Sequence, residues 1–160
     1  MKRASTIFLR IAVIFLGLVA LALYIFALPG IYKGGSAEFP MASQALLIIV
    51  IILYAMAIPF FIALWQTLKL LGYIDHNQAF SNLSVRALNN IKYCASIYAI
   101  LAFACVPLVV PIADADDAPG AIVYAAALAC APVAVAVFAA ILQRLLREAL
   151  DIKSENDLTV

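Results

Sequence analysis

The chain has 160 residues, of which 68% are hydrophobic and only 12% charged. Soluble domains carry roughly 25% charged residues, so this composition excludes a water-soluble globule and points to a chain solvated by lipid. The formal net charge of +1 selects no partner, and no direct nucleic-acid binding is expected.

Four stretches carry no charged residue, at 11–32, 39–68, 93–113 and 118–143. A helix of about 20 apolar residues, rising 1.5 Å per residue, crosses the ~30 Å hydrocarbon core, and each stretch reaches that length. The expected fold class is all-α: an integral membrane bundle of four transmembrane helices with helical extensions into the cytoplasm. A single domain takes up residues 1–160, with spans at about 8–29, 43–69, 90–112 and 119–143. A middle loop at about 72–90 and a tail at 144–160 carry most of the polar material.

The first stretch follows Lys2, Arg3 and Arg10 and is longer than the ~7–15 apolar residues of a secretory signal, so it reads as a retained anchor. The loop after it, Lys33-Gly34-Gly35-Ser36-Ala37-Glu38, reads as a flexible turn. The second stretch is longer than a span needs and contains Pro59, which predicts a kink near residues 55–59. Trp65 and Tyr73 stand at its far end, where amphipathic rings prefer the membrane interface. Ser81 is placed to cap a helix that starts at Asn82 and runs unbroken into the third stretch.

Pro107 and Pro111 are expected to bend or finish that third helix. Asp114, Asp116 and Asp117 then make an acidic loop. Carboxylates suit hard cations, but the loop lacks the regular spacing of a calcium-binding hand. Asp117 is read instead as a cap for the fourth span ahead of Pro119, and no metal site or cofactor is expected. The fourth stretch is alanine-rich, which lets helix backbones approach closely; it is the expected packed centre of the bundle and the face for any homo-oligomer. Cys94, Cys105 and Cys130 have no metal-ligand spacing and read as small packing residues.

Nine of the ten basic residues fall in the N-terminal segment, the middle loop and the tail, against Lys33 alone in the other two loops. Positive residues favour the cytoplasmic side, so both termini are expected in the cytoplasm of a bacterial inner or plasma membrane. No ionisable residue lies deep in a stretch, which argues against a charge-relay transporter. The tail continues the fourth helix with Leu142, Leu145, Leu146 and Leu150 on one face and Arg144, Arg147 and Glu148 off it. The last residues, Ser154-Glu155-Asn156-Asp157, read as a polar, mobile end.

Several separated segments resemble the YoaS-like family of small bacterial membrane proteins, a domain of unknown function. They are Ile58-Pro59-Phe60-Phe61-Ile62-Ala63-Leu64-Trp65-Gln66, Leu70-Leu71-Gly72-Tyr73-Ile74-Asp75, and Ala79-Phe80-Ser81-Asn82-Leu83-Ser84-Val85. Asp116-Asp117-Ala118-Pro119-Gly120 and the run from Asp151 to Val160 belong to the same resemblance. The resemblance implies no established activity. Its members are often encoded beside a small helix-turn-helix regulator, which implies a regulatory or interaction protein with such a cytosolic partner. The candidate contact residues are Asp75, His76, Arg144, Arg147, Lys153, Glu155, Asn156 and Asp157. A small transporter, channel or membrane-stress protein is the alternative. No paired acids, HExxH or Ser/His constellation supports an enzyme.

Overall fold

The computed structural model describes residues 2–158, and the side chains of residues 5–156. Long helices dominate them: α1 (Lys2–Ala22), α2 (Leu28–Glu38), α3 (Ser43–Asp75), α4 (Asn82–Ala115) and α5 (Gly120–Leu158). One π turn, Leu23–Ala27, joins α1 to α2, and a 3₁₀ turn, Pro40–Ala42, leads into α3. Four helical stretches are long and apolar enough to cross a membrane: Ser5–Glu38, Pro40–Asp75, Asn82–Ala115 and Gly120–Asn156.

The π turn has a local cause. Pro29 has no N–H to offer the carbonyl one turn earlier, so the hydrogen-bond ladder slips by one residue ahead of it. Leu28 N–H donates to the Leu23 carbonyl, five residues back. The carbonyl of Tyr24 accepts from the Tyr54 hydroxyl of α3 at 3.1 Å. In lipid a backbone group without a partner is costly, and here a side chain of the neighbouring helix supplies one.

The expected flexible turn at 33–38 is helical instead, and α2 continues to Glu38. Gly35 has a steric reason to be glycine. A Cβ there would meet Leu46 Cδ1 at 2.9 Å, so the bare backbone lets α2 and α3 converge. The chain then reverses at Phe39, whose N–H donates to the Gly35 carbonyl at 2.8 Å.

Prolines 59, 107, 111 and 132 all sit inside helices that carry on past them. Pro107 and Pro111 therefore do not finish the third span; α4 runs on to Ala115. Its stop is a Schellman motif, in which a left-handed residue lets two N–H groups turn back onto the last carbonyls. Asp117 has φ 50°, and Ala118 N–H reaches the Ala113 carbonyl at 2.9 Å. The expected cap on the fourth span is thus corrected: Asp117 ends α4, and α5 starts on the carbonyls of Ala118 and Pro119. An aspartate in this position carries both left-handed strain and negative charge at the negative end of a helix. Asp117→Gly is expected to raise stability by about 1 kcal/mol, read as a higher unfolding midpoint in detergent by circular dichroism.

The same motif closes α3. Asn77 has φ 56°, Asn77 N–H reaches Ile74 O at 3.2 Å, and Gln78 N–H reaches Tyr73 O at 2.8 Å. Ser81 caps α4 as expected, its hydroxyl accepting from Ser84 N–H at 3.3 Å. Ser84 is fully buried and its hydroxyl donates to the Gln78 carbonyl at 3.2 Å, which ties the link to the helix start. Within the middle segment of 72–90 the non-helical link is residues 76–81, and α4 starts at Asn82 as expected.

The centre of the packing is α4, which makes extensive contact with α5 on one side and α3 on the other; α1 leans on α3. The alanine-rich fourth span is therefore an edge helix and not the centre. Of its residues only Ala129 and Ala139 are deeply buried. The buried stripe of small residues belongs to α4, with Ser84, Ala87, Cys94, Ala95, Ala99 and Ala113. Close approach needs small side chains on one stripe of α5; Ala127, Ala131 and Ala134 face outward, and the other alanines of the span, beyond the two deeply buried ones, are half-buried.

Candidate functional site: the basic end of the helices

Two sets of polar contacts bring the N-terminal part of α1, the α3–α4 link and the far part of α5 to the same end of the molecule. Arg10 of α1 pairs with Asp75 at the end of α3, Nη2 to Oδ2 at 3.0 Å. The side chains are 42% and 23% exposed, so screening keeps the pair's contribution within the 0–1 kcal/mol of surface ion pairs. Its effect is registry: it fixes which end of α1 lies beside which end of α3. His76 closes α3 in another way. Its Nδ1 lies 2.8 Å from the Gly72 carbonyl. A carbonyl only accepts, so the ring donates from Nδ1, and the tautomer is set.

The second set joins α4 to α5. Gln143 Nε2 donates to Asn89 Oδ1 at 3.1 Å, and Lys92 Nζ donates to Gln143 Oε1 at 3.2 Å. Lys92 Nζ also lies 4.9 Å from the centre of the Tyr93 ring, a cation–π contact. One amide uses both of its ends to satisfy two residues of the neighbouring helix. The sequence reading passed over Gln143 as the end of a charge-free run. The available signal was Asn89 and Lys92 three residues apart on one face of α4, facing a chain segment that ends in an amide.

Beyond Gln143, α5 turns Leu146 and Leu150 toward the interior, half-buried. Leu142 and Leu145 stay 53% and 56% exposed, so the four leucines split between two faces. Arg144 pairs with Glu148 at 3.0 Å on the open surface, where the side chains are 83% and 56% exposed. Arg147, Lys153, Glu155 and Asn156 are exposed on the same helix, and the mobile end expected there is helical through Leu158. The side chain of Asp157 lies outside the described residues.

Register explains this exposure. α4 and α5 run antiparallel with Gln143 beside Asn89, which sets Leu150 opposite Asn82, the first residue of α4. The remaining eight residues of α5 therefore extend past α4 by about 12 Å. Four of the eight candidate contact residues, Lys153, Glu155, Asn156 and Asp157, lie on this extension, and Arg144 and Arg147 lie on the turns of α5 just before it. Asp75 and His76 lie instead at the end of α3, held by Arg10 and by the Gly72 carbonyl.

Within the spans, the π turn and α3 enclose a side-opening apolar cavity of about 350 Å³, lined by Leu23, Tyr24, Leu28, Leu53, Phe60 and Tyr98. No charged group lines it. Among the described residues no three His, Cys, Asp or Glu side chains gather to hold a metal ion. The three cysteines are free, with Cys94 buried in the α4 stripe and Cys130 exposed on α5.

Four apolar helices with their polar contacts gathered at the ends define a polytopic α-helical membrane protein. The chain belongs to the family described as protein of unknown function DUF2975, whose pattern matches residues 30–160. It is 52% identical over 160 residues to the uncharacterized membrane protein YoaS of Bacillus subtilis (strain 168), with both chains covered completely. The family resemblance seen in the sequence segments is thereby established. No solved structure matches the chain.

Proposed function

We propose that the protein is a regulatory or interaction protein of the bacterial cytoplasmic membrane, with both termini in the cytoplasm and the end of α5 offered to a cytosolic protein. The observation that carries this reading is the run of α5 past α4, with residues 151–156 all exposed on a helix. Orientation rests on nine of the ten basic residues lying at that end. A helix-turn-helix transcriptional regulator is the partner favoured by family association. Such a partner would meet Arg144, Arg147, Lys153, Glu155 and Asn156, which are exposed on several sides of the end of α5.

The test is cross-linking in native membranes followed by capture of the tagged chain. The full chain is expected to bring down a helix-turn-helix protein, and a chain ending at Leu150 to lose it. If no cytosolic protein is cross-linked by the full chain, the reading fails. A second reading, a small transporter or channel, draws support from the cavity beside the π turn and from the proline-bearing spans. It predicts solute flux in proteoliposomes and is discarded if the vesicles stay tight across a broad solute panel.

A further inference from the structure

The outward face of α5 carries a second pattern, separate from its polar surface. Leu128, Val135, Phe138, Leu142, Leu145 and Ile152 follow one another at steps of three, four or seven residues, and each is more than half exposed. Alanines 131 and 149 fill the two gaps of seven. This is a heptad seam, with Leu142 and Ala149 at position a and Leu145 and Ile152 at position d. Inside the bilayer such a face needs no cover but lipid. The seam does not stop there: it continues beyond Gln143, where the charged residues begin, and Ile152 remains 61% exposed on helix that α4 no longer supports.

Charge supplies an independent indication of what covers it. In the same register Glu148 falls at position g and Lys153 at the following position e. In a parallel pair of helices a g residue lies beside the next e residue of its partner, and opposite charges there set partner and orientation. Copies of one membrane protein inserted with the same topology can only meet in parallel. Arg144, Arg147, Asp151 and Ser154 fall at positions c and f, away from the seam, while Gln143 bonds to α4 and Leu146 and Leu150 are half-buried. As an edge helix, α5 has its seam clear of the other spans.

We propose that two copies of this chain pair in parallel through the outward face of α5, with a seam that runs from the bilayer into the extension and Glu148 of each copy beside Lys153 of the other. The interface is isologous, as a twofold axis along the membrane normal requires. Arg144, which holds Glu148 at 3.0 Å within one chain, then shares that carboxylate across the pair. The pairing needs no cytosolic partner, so it and the partner reading fail separately.

The experiment uses the full chain with Cys94, Cys105 and Cys130 replaced by alanine or serine, in native membranes and, purified, in proteoliposomes. Leu145→Cys and Ile152→Cys are expected to form disulfide-linked dimers under mild oxidation in both settings. Arg147→Cys and Ser154→Cys, on the far side of the helix, are expected to give at least fivefold less. Glu148→Lys is expected to cut the Ile152→Cys dimer severalfold, and adding Lys153→Glu to restore it. Equal cross-linking on the two sides, or dimers seen in native membranes but absent from proteoliposomes, overturns the proposal. So does a Glu148→Lys defect that Lys153→Glu fails to reverse.

Discussion

Replacing Ala129 by leucine is expected to prise α5 from α4 and to lower the unfolding free energy by about 2 kcal/mol, within the ~1–3 kcal/mol typical of overpacking. Ala129 is 2% exposed and sits in the most extensive helix–helix contact of the molecule. Lipid tails are as apolar as leucine, so helix association in a bilayer depends on close van der Waals contact and not on escape from water. Extra bulk at a closed contact therefore removes attraction without a hydrophobic gain to offset it. Unfolding in mixed micelles of rising dodecyl sulfate, followed by far-ultraviolet circular dichroism, measures the loss. Ala134→Leu, at an exposed position of the same helix, should unfold with the parent chain. If the two variants unfold together, the α4–α5 contact is not what holds the fourth span.

Gln143→Leu is expected to cost about 1–2 kcal/mol in the same assay, because it leaves Lys92 and Asn89 facing an apolar side chain. The three groups are only part-buried, so water recovers some of the loss and the value stays in the lower part of the range for orphaned polar groups. Gln143→Glu should recover most of it, since a carboxylate still accepts from Lys92 and the Asn89 amide can turn its N–H₂ toward it. A leucine variant as stable as the parent would reduce this cluster to decoration of the helix ends.

Much of the architecture was legible because it depends on local chemistry. Charge-free runs of 21 or more residues leave little choice but a helix in lipid, and Ser81 announces its cap by residue type and place. What escaped was set by neighbours distant in sequence. Gly34 and Gly35 look like a loop, yet the second of them is used for contact with Leu46. The alanines of the fourth span signal close approach but do not say to which helix, and they misled as to the centre. Arg10 and Asp75 are 65 positions apart, and Lys92 and Gln143 are 51 apart, so neither pair exists until the helices are assembled. Asp117 was misplaced because it borders two helices, and only its backbone angle tells which of them it serves. Pro29 was the overlooked signal for the π turn.

The unbroken course of α5 from Gly120 to Leu158 has a mechanical consequence. Its 39 residues make a rod of about 58 Å, its hydrogen-bond ladder missing the donor of Pro132, and held to α4 along one stripe. Such a rod is a lever with one arm at the acidic loop and the other in the water beyond Gln143. A tilt of roughly 10° about the Gly120 end moves the Leu158 end by ~10 Å, about the width of a helix. Small rearrangements on one side of the membrane would thus be delivered, magnified, at the other.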